Sequence, residues 1–162
     1  MDIVISHMAA LQVIRQPYFT RRLATAELCP TDIPDRLPSA SELNEARETL
    51  GQLNGIEGEL GLLVSDKRGA HACDGARPHV LSSRLPAGSL VQVAPGVRCV
   101  SPLLLPLLMA PNLSEEEMLM LLSELIGLFS VANGARKGLV QRDRPMASPE
   151  AFGYFQIGRA SC

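Results

Sequence analysis

Aromatic residues and lysines are scarce in this sequence. Its 162 residues include no Trp, two Tyr and four Phe, so aliphatic side chains and methionine must build most of the core. The basic residues are nearly all arginine, and lysine occurs only at Lys67 and Lys137. With a formal net charge of −2, the chain has no global basic field that would attract nucleic acid or a membrane surface.

The sequence also lacks the signs of secretion and of membrane insertion. Its cysteines lie far apart, which excludes a dense disulfide framework. They are Cys29, Cys73, Cys99 and Cys162. The opening MDIVISHMAAL carries Asp2 and no basic residue ahead of its apolar part, unlike a signal peptide. The most apolar run, MLMLLSELIGLFSVA, contains Glu124 and is shorter than the ~20 residues that span a bilayer. We expect a cytoplasmic protein with no membrane partner.

Capping boxes predict where the main helices start. Ser39 with Glu42 opens the stretch SASELNEARETLGQLN, and Ser114 with Glu117 opens NLSEEEMLMLLSELIGLFSVANG. In such a box the serine oxygen accepts from a backbone N–H of the first turn, and the glutamate accepts from the serine N–H. The second helix is apolar on most of its faces, so we expect it to be buried rather than at the surface.

Short apolar runs predict strands between these helices. Ile3-Val4-Ile5 suits a buried strand or the lead-in of a helix, and ELGLLVS and HVLSS are further strand candidates. SLVQVAPGVRCVS is the strongest hairpin signal, because Pro95-Gly96 suits the central positions of a type II turn. These elements predict one α+β domain over residues 1–155. It would be a small, mainly antiparallel sheet with a β-hairpin, packed against several helices.

The last residues predict an origin outside the natural protein. IGRASC, at the end of the chain, resembles the translation of a common short-read sequencing adapter, ATC GGA AGA GCG TCG TGT preceded by AG. A CAG codon for Gln156 would supply that AG. We therefore expect residues 156–162 to be adapter read-through and residues 1–155 to be the front part of a longer protein. The alternative is that these are natural terminal residues.

No catalytic or metal-binding constellation can be read from the sequence. His71, Cys73 and His79 lie close together, but their spacing fits no zinc pattern, and a polar loop accounts for them. Ser6 and His7 are not expected to form a nucleophile–base pair, because neighbours at a regular helix start do not face each other; Ser6 is interpreted as a helix cap. We assign no catalytic residue, metal or cofactor. An enzyme would need the histidines to converge with carboxylates in one pocket, and whether the chain is an enzyme stays open.

One basic stretch, ARKGLVQRDR, supplies candidate contacts to DNA phosphates. These candidates are Arg136, Lys137, Arg142 and Arg144. The stretch has no interleaved aromatic residues and contains Asp143, so the alternative is a solvated loop.

A long part of the chain resembles a known family. The pattern runs through Pro95-Gly96-Val97, Val100-Ser101-Pro102 and Glu124-Leu125-Ile126-Gly127-Leu128-Phe129, and the opening ISHMAALQVIR matches as well. In these motifs the sequence is similar to the AbiEi-like proteins of actinobacteria, especially of gut coriobacteria. The resemblance covers the first helix and most of residues 79–155.

The resemblance implies a non-catalytic N-terminal module. In many relatives it precedes a nuclease-like domain of the very-short-patch-repair, restriction-endonuclease-like type. The expected function is a DNA-associated role in phage defence or as a toxin–antitoxin component, with DNA bound through a missing C-terminal domain. The alternative class is a protein-interaction or regulatory module that docks onto a protein partner. An exposed apolar patch would favour that alternative, and a basic face would favour DNA.

Overall fold

The structure is α+β, as the sequence predicts. It is a computed structural model that describes residues 2–23, 26–51, 56, 58–70, 74–132 and 138–153. The helices are α1 (His7–Ile14), α2 (Phe19–Leu23), α3 (Ala40–Gly51), α4 (Leu105–Met109) and α5 (Glu115–Ile126), and residues 149–153 are also helical. The strands are β1 (Ile3–Ile5), β2 (Leu60–Val64), β3 (Ala76–Val80), β4 (Leu90–Ala94), β5 (Val97–Val100), β6 (Phe129–Val131) and β7 (Leu139–Gln141).

The central strand of the main sheet is β1. Five strands lie in the order β3-β2-β1-β5-β4, and a separate antiparallel pair is formed by β6 and β7. In the main sheet β1–β2 and β4–β5 are antiparallel, whereas β1–β5 and β2–β3 are parallel. The sheet is therefore mixed, and antiparallel pairing predominates only when β6–β7 is counted with it. Parallel pairs arise here because the chain crosses over between these strands instead of turning back in a hairpin.

The hairpin expected at Pro95-Gly96 joins β4 to β5. Gly96 has a φ of 69°, the left-handed value that the second central position of a type II turn requires. Every residue of β1 and of β5 is buried, and Ile3 pairs with Val97. These two adjacent strands therefore form the middle of the apolar core, against which α1 packs.

The prediction that α5 is buried is wrong. Only Leu121 and Leu125 of this helix are buried, while Leu119 is 59% and Met120 is 72% exposed. Contacts to α4 and β6 cover one face, and no described element covers the other. An apolar composition on most faces indicates burial only if enough neighbours surround the helix. Within the described ranges, no helix has both the length and the apolarity that a bilayer crossing needs.

Candidate functional site

An unusual backbone conformation lies where β1 runs into α1. His7 has a φ of 54°, in the left-handed region that residues other than glycine rarely adopt. Ser6 occupies the cap position, but its side chain caps no backbone N–H of the helix. Its Oγ lies 3.1 Å from Nδ1 of His7 instead. Interpreting the Ser6 side chain as a cap was wrong, because the helix start is not regular and the two neighbours do contact each other.

The His7 ring stacks on the ring of His79. Their centroids are 3.4 Å apart and their planes differ by 13°. On β3, alternation places Arg77 and His79 on one face, and Gly61 of β2 is the register partner of Arg77. A Cβ on Gly61 would lie 2.8 Å from the Ser6 carbonyl oxygen and 3.5 Å from Nε2 of His79. Glycine at this position therefore allows the Ser6 backbone to approach β2 closely, whereas the distance to His79 is an ordinary contact.

Both rings are held in the neutral form near pH 7. Burial lowers the pKa of His7 to about 4, with further lowering by the charges of His79 and Arg77 and an opposing hydrogen bond to the Leu108 backbone. Burial also lowers the pKa of His79, and Arg77 adds to that effect. Charging either ring would place a cation against its stacked neighbour and near the Arg77 guanidinium.

This lowered pKa predicts that acid destabilises the fold. Between the ordinary pKa of 6.5 and about 4, the unfolded state binds a proton at His7 that the folded state refuses, so stability falls as pH falls. We expect the free energy of unfolding to fall by about 1–2 kcal/mol over that window. This is less than the full pKa difference would give, because the ring is only partly buried and solvent screens its charge. Urea unfolding from neutral pH down to about pH 4 measures it. His7→Gln should flatten the pH dependence in that window, and an unchanged slope would contradict the assignment.

These side chains line a cavity of about 590 Å³, which we name the histidine cavity. Its lining includes His7, Glu59, Gly61, Arg77, His79 and Asn112, with Met8, Met109 and Leu113 on one side. It thus joins two histidines to a carboxylate residue, part of what an enzyme would need, and Ser6, whose hydroxyl contacts His7, is itself fully buried. His71 and Cys73 lie outside the described residues. Where the structure describes the chain, no three His, Cys, Asp or Glu residues are grouped to hold a metal ion.

Beside this cavity lies an apolar groove of about 640 Å³. We define the apolar groove by its exposed apolar residues: Met8, Leu119, Met120, Phe129, Val131 and Leu139. It runs between α1, α5 and the β6–β7 pair, and it shares Met8, Met109 and Leu113 with the histidine cavity. The two depressions therefore form one continuous concave surface.

Glu124 fixes the elements around this groove. Nε and Nη2 of Arg15 donate to its two carboxylate oxygens, each at 2.8 Å, joining α5 to the end of α1. The Ser130 hydroxyl and the Val131 N–H donate to the same carboxylate at 2.9 and 3.1 Å, joining α5 to β6. Burial acts to raise the pKa of Glu124. The hydrogen bonds and the charge of Arg15, together with the hydrogen bonds from Ser130 and Val131, outweigh burial and hold this pKa below its usual value.

Of the four candidate DNA contacts, Arg142 and Arg144 lie in the described part of the chain. Arg142 has only 8% of its side chain exposed, and its Nη1 donates to the Glu124 carbonyl oxygen at 2.9 Å. Arg142 is thus largely engaged within the protein, and its role as a DNA contact stays a prediction. Arg144 is exposed and donates to the Thr20 carbonyl oxygen at 3.0 Å. Arg136 and Lys137 lie outside the described residues.

Sequence reasoning missed Arg77 and Gly61 and dismissed the contact of His7. The available signals were weak: a histidine two positions after a strand-forming run, and an arginine two positions before His79, at which the strand candidate HVLSS begins. Neither signal shows that His7 and His79 meet, because that contact depends on how α1 and β3 are placed.

Comparison with known proteins identifies no relative. No model of a protein family matches the chain. The search of curated proteins gave no match, and neither did the search of solved structures. The relation to AbiEi-like proteins stays a prediction, and the function is argued from the surface of the molecule.

Proposed function

We propose that this domain is a protein-interaction module whose apolar groove binds an amphipathic, basic segment of a partner protein. The observation that carries the proposal is the cluster of exposed apolar side chains in one groove. Met8 is 53%, Phe129 55% and Leu139 74% exposed, and they adjoin Leu119 and Met120 of α5. Scattered apolar residues on a surface need no explanation, but a contiguous and concave group is typical of an interaction site.

The groove is held in shape before any partner arrives. A two-stranded sheet is marginally stable by itself, yet the β6–β7 pair is held to α5 through the Glu124 carboxylate. Arg15 holds the opposite side through the same carboxylate. Within this frame Met8 and Met120 supply flexible, polarizable side chains that adapt to different apolar surfaces. A preformed groove loses less conformational entropy on binding.

Charge selects the partner chemistry. Glu115, Glu116 and Glu117 lie in the first turn of α5, and Glu117 lines the groove. The other charged residues of the lining are Arg15 and Glu124, which form an ion pair with each other. The groove therefore has an acidic end and no free positive charge among its described residues. A helix with leucines on one face and lysines or arginines beside them complements this surface.

The test uses a fluorescein-labelled helical peptide with leucine and lysine at helical spacing. We expect the double variant Met120→Ser, Leu139→Ser to raise its dissociation constant at least about tenfold, because two exposed apolar contacts are removed. Leu28→Ser is the matched control, since Leu28 is 85% exposed outside the groove. Fluorescence anisotropy measures the binding. A peptide with glutamate in place of lysine should bind more weakly.

Unchanged affinity in the double variant would refute the proposal, as would equal binding of the glutamate peptide. Sedimentation of the chain without peptide tests whether a second copy of the chain occupies the groove instead. If the unmodified chain dimerises and the double variant does not, then a second copy fills the groove and the proposed partner is wrong.

The DNA-associated role implied by the resemblance stays a prediction. Its described candidates are Arg142, which is mostly buried, and Arg144, which is exposed. Because Arg142 is engaged with Glu124, its replacement would disturb the fold as well as any DNA contact. The groove is therefore the surface on which we base the function.

A further inference from the structure

We propose that the histidine cavity is a binding site for a small phosphate-type dianion, held by Arg77 and His79, with the His7 ring stacked on His79. This site goes beyond the protein-interaction function and does not depend on it. Inorganic phosphate and phosphate monoesters present the same dianionic group, so either could occupy such a site. The cavity volume of about 590 Å³ leaves room for an organic group attached to the phosphate.

The geometry places three nitrogen-bearing side chains at one cavity. Arg77 and His79 are two residues apart on β3, so their side chains leave the sheet on the same side. His7 arrives from the β1–α1 junction and stacks on His79 at 3.4 Å. Within the described chain Arg77 takes part in no ion pair, although Glu59 lines the same cavity. A guanidinium beside the imidazole of His79 suits phosphate oxygens, whereas the ring nitrogens of His7 already contact Ser6 and the Leu108 backbone.

The same arrangement disfavours a metal ion. Two imidazoles that share a metal point their lone pairs at one position, whereas the rings of His7 and His79 lie face to face with planes 13° apart. Arg77 lines the cavity and would repel a cation. An anion meets neither obstacle.

Backbone strain supports a binding role at His7. A left-handed conformation at a residue other than glycine costs free energy and persists where the surroundings hold it. Here it coincides with a glycine, Gly61, whose missing side chain lets the carbonyl of the preceding residue, Ser6, approach β2 closely. Two uncommon local features therefore produce one cavity, which is typical of a functional site more than of simple core packing.

Binding should take up a proton. The charged residues that face the rings are Arg77 from β3 and Glu59, which precedes β2; Gln12 of α1 and Asn112, beyond α4, are uncharged. Near neutral pH both rings are neutral, and burial, their mutual proximity and Arg77 oppose their protonation. A dianion between them and Arg77 reverses this preference and stabilises an imidazolium. By linkage, the affinity for the dianion then rises as the pH falls.

Sulfate and phosphate are the probes for this site. Sulfate stays a dianion throughout the titration, so a pH effect with sulfate reports on the protein. We expect saturable sulfate binding by isothermal titration calorimetry. The dissociation constant should fall by up to about tenfold for each pH unit as the pH is lowered from about 7.5 to 5.5. At fixed pH, phenyl phosphate binding more tightly than inorganic phosphate would identify a monoester as the source, and equal binding would identify free phosphate.

Variants separate this site from general charge effects. Arg77→Gln should weaken sulfate binding at least about tenfold, and His79→Gln should remove most of the pH dependence. Arg84→Gln is the matched control, because Arg84 is an exposed arginine outside the cavity and should leave binding unchanged. Circular dichroism checks that each variant is folded.

Absence of saturable binding at millimolar sulfate overturns the proposal, and so does chloride producing the same response. An Arg77→Gln variant that binds like the unmodified chain also overturns it. If His79→Gln does not fold, NMR titration of the unmodified histidine rings replaces it. Sulfate must raise a ring pKa there, and an unmoved pKa counts against the site. The peptide-binding test of the groove is separate, so either proposal can fail without the other.

Discussion

Replacing Glu124 with alanine is expected to lower the free energy of unfolding by about 3–5 kcal/mol. The side chains of Arg15, Glu124 and Arg142 are 16%, 11% and 8% exposed, so this is a largely buried group of two cations around one anion. Without Glu124, both guanidinium groups would stay in a poorly hydrated place with no opposite charge. The Ser130 hydroxyl and Val131 N–H would lose the acceptor that holds β6.

Urea unfolding of Glu124→Ala beside Glu116→Ala measures this effect. Glu116 lies in the first turn of the same helix and is exposed, so its removal should cost no more than about 1 kcal/mol of favourable dipole interaction. Equal losses in the two variants would show that the Glu124 cluster contributes nothing special. The double variant Arg15→Leu, Glu124→Leu should recover part of the loss, because one of the buried cations leaves with the anion.

The low pKa of Glu124 adds a pH signature. Because the folded-state pKa lies below the ordinary 4.5, this contribution is present above pH 4.5 and is lost as the pH falls through the folded-state pKa. In Glu124→Ala, stability should depend less steeply on pH below about 4.5 than in the unmodified chain. This window lies below most of the His7 window, so the two contributions can be separated.

Arg98→Met is expected to cost about 3 kcal/mol. Arg98 is 4% exposed in the middle of β5, yet it carries a charge. Its Nη2 donates to both Asp2 oxygens at 2.8 and 2.9 Å, and its Nη1 donates to the carbonyl oxygens of Pro30 and Asp32, each at 2.8 Å. One guanidinium thus attaches the chain start and the 30–32 segment to the sheet. Methionine keeps much of the volume and removes these bonds.

The loss should be smaller than for Glu124, because water can solvate the partners of Arg98. The side chains of Asp2 and Asp32 are 51% and 71% exposed, so neither carboxylate is left buried without a partner. Arg68→Met is the control, since that side chain is 93% exposed and its ion pair with Asp66 lies at the surface, where such pairs contribute little to stability. Hydrogen exchange should show increased opening near residues 30–38 in Arg98→Met. Unchanged exchange there would contradict the proposed attachment.

The elements predicted best are those whose cause is local. In both capping boxes the expected bonds form: the Glu42 N–H donates to Ser39 Oγ at 3.3 Å, and the Ser114 N–H donates to the Glu117 carboxylate at 2.8 Å. The hairpin turn follows from Pro95-Gly96 for the same reason. Such features depend on residues within a few positions of each other, all of which the sequence displays.

Other features depend on distant parts of the chain, and there the sequence was insufficient. The third strand was placed at HVLSS, but β3 runs from Ala76 to Val80, because its register is set by parallel pairing with β2. The apolar face of α5 indicated burial, yet no described element covers it. In the sequence Glu124 is a lone charged residue within an apolar run, whereas in the structure it pairs with Arg15 at the end of α1.

The sequence by itself determined the α+β class, the starts of α3 and α5, the β4–β5 turn and the scarcity of local catalytic motifs. Only the tertiary structure decided that His7 meets His79, that Arg15 meets Glu124 and that the apolar side chains of α5 and β6–β7 share one groove. The physical reason is the range of the interactions. Caps and turns are short-range and are specified by neighbouring residues, whereas these contacts exist only once helices and strands from distant parts of the chain have packed together.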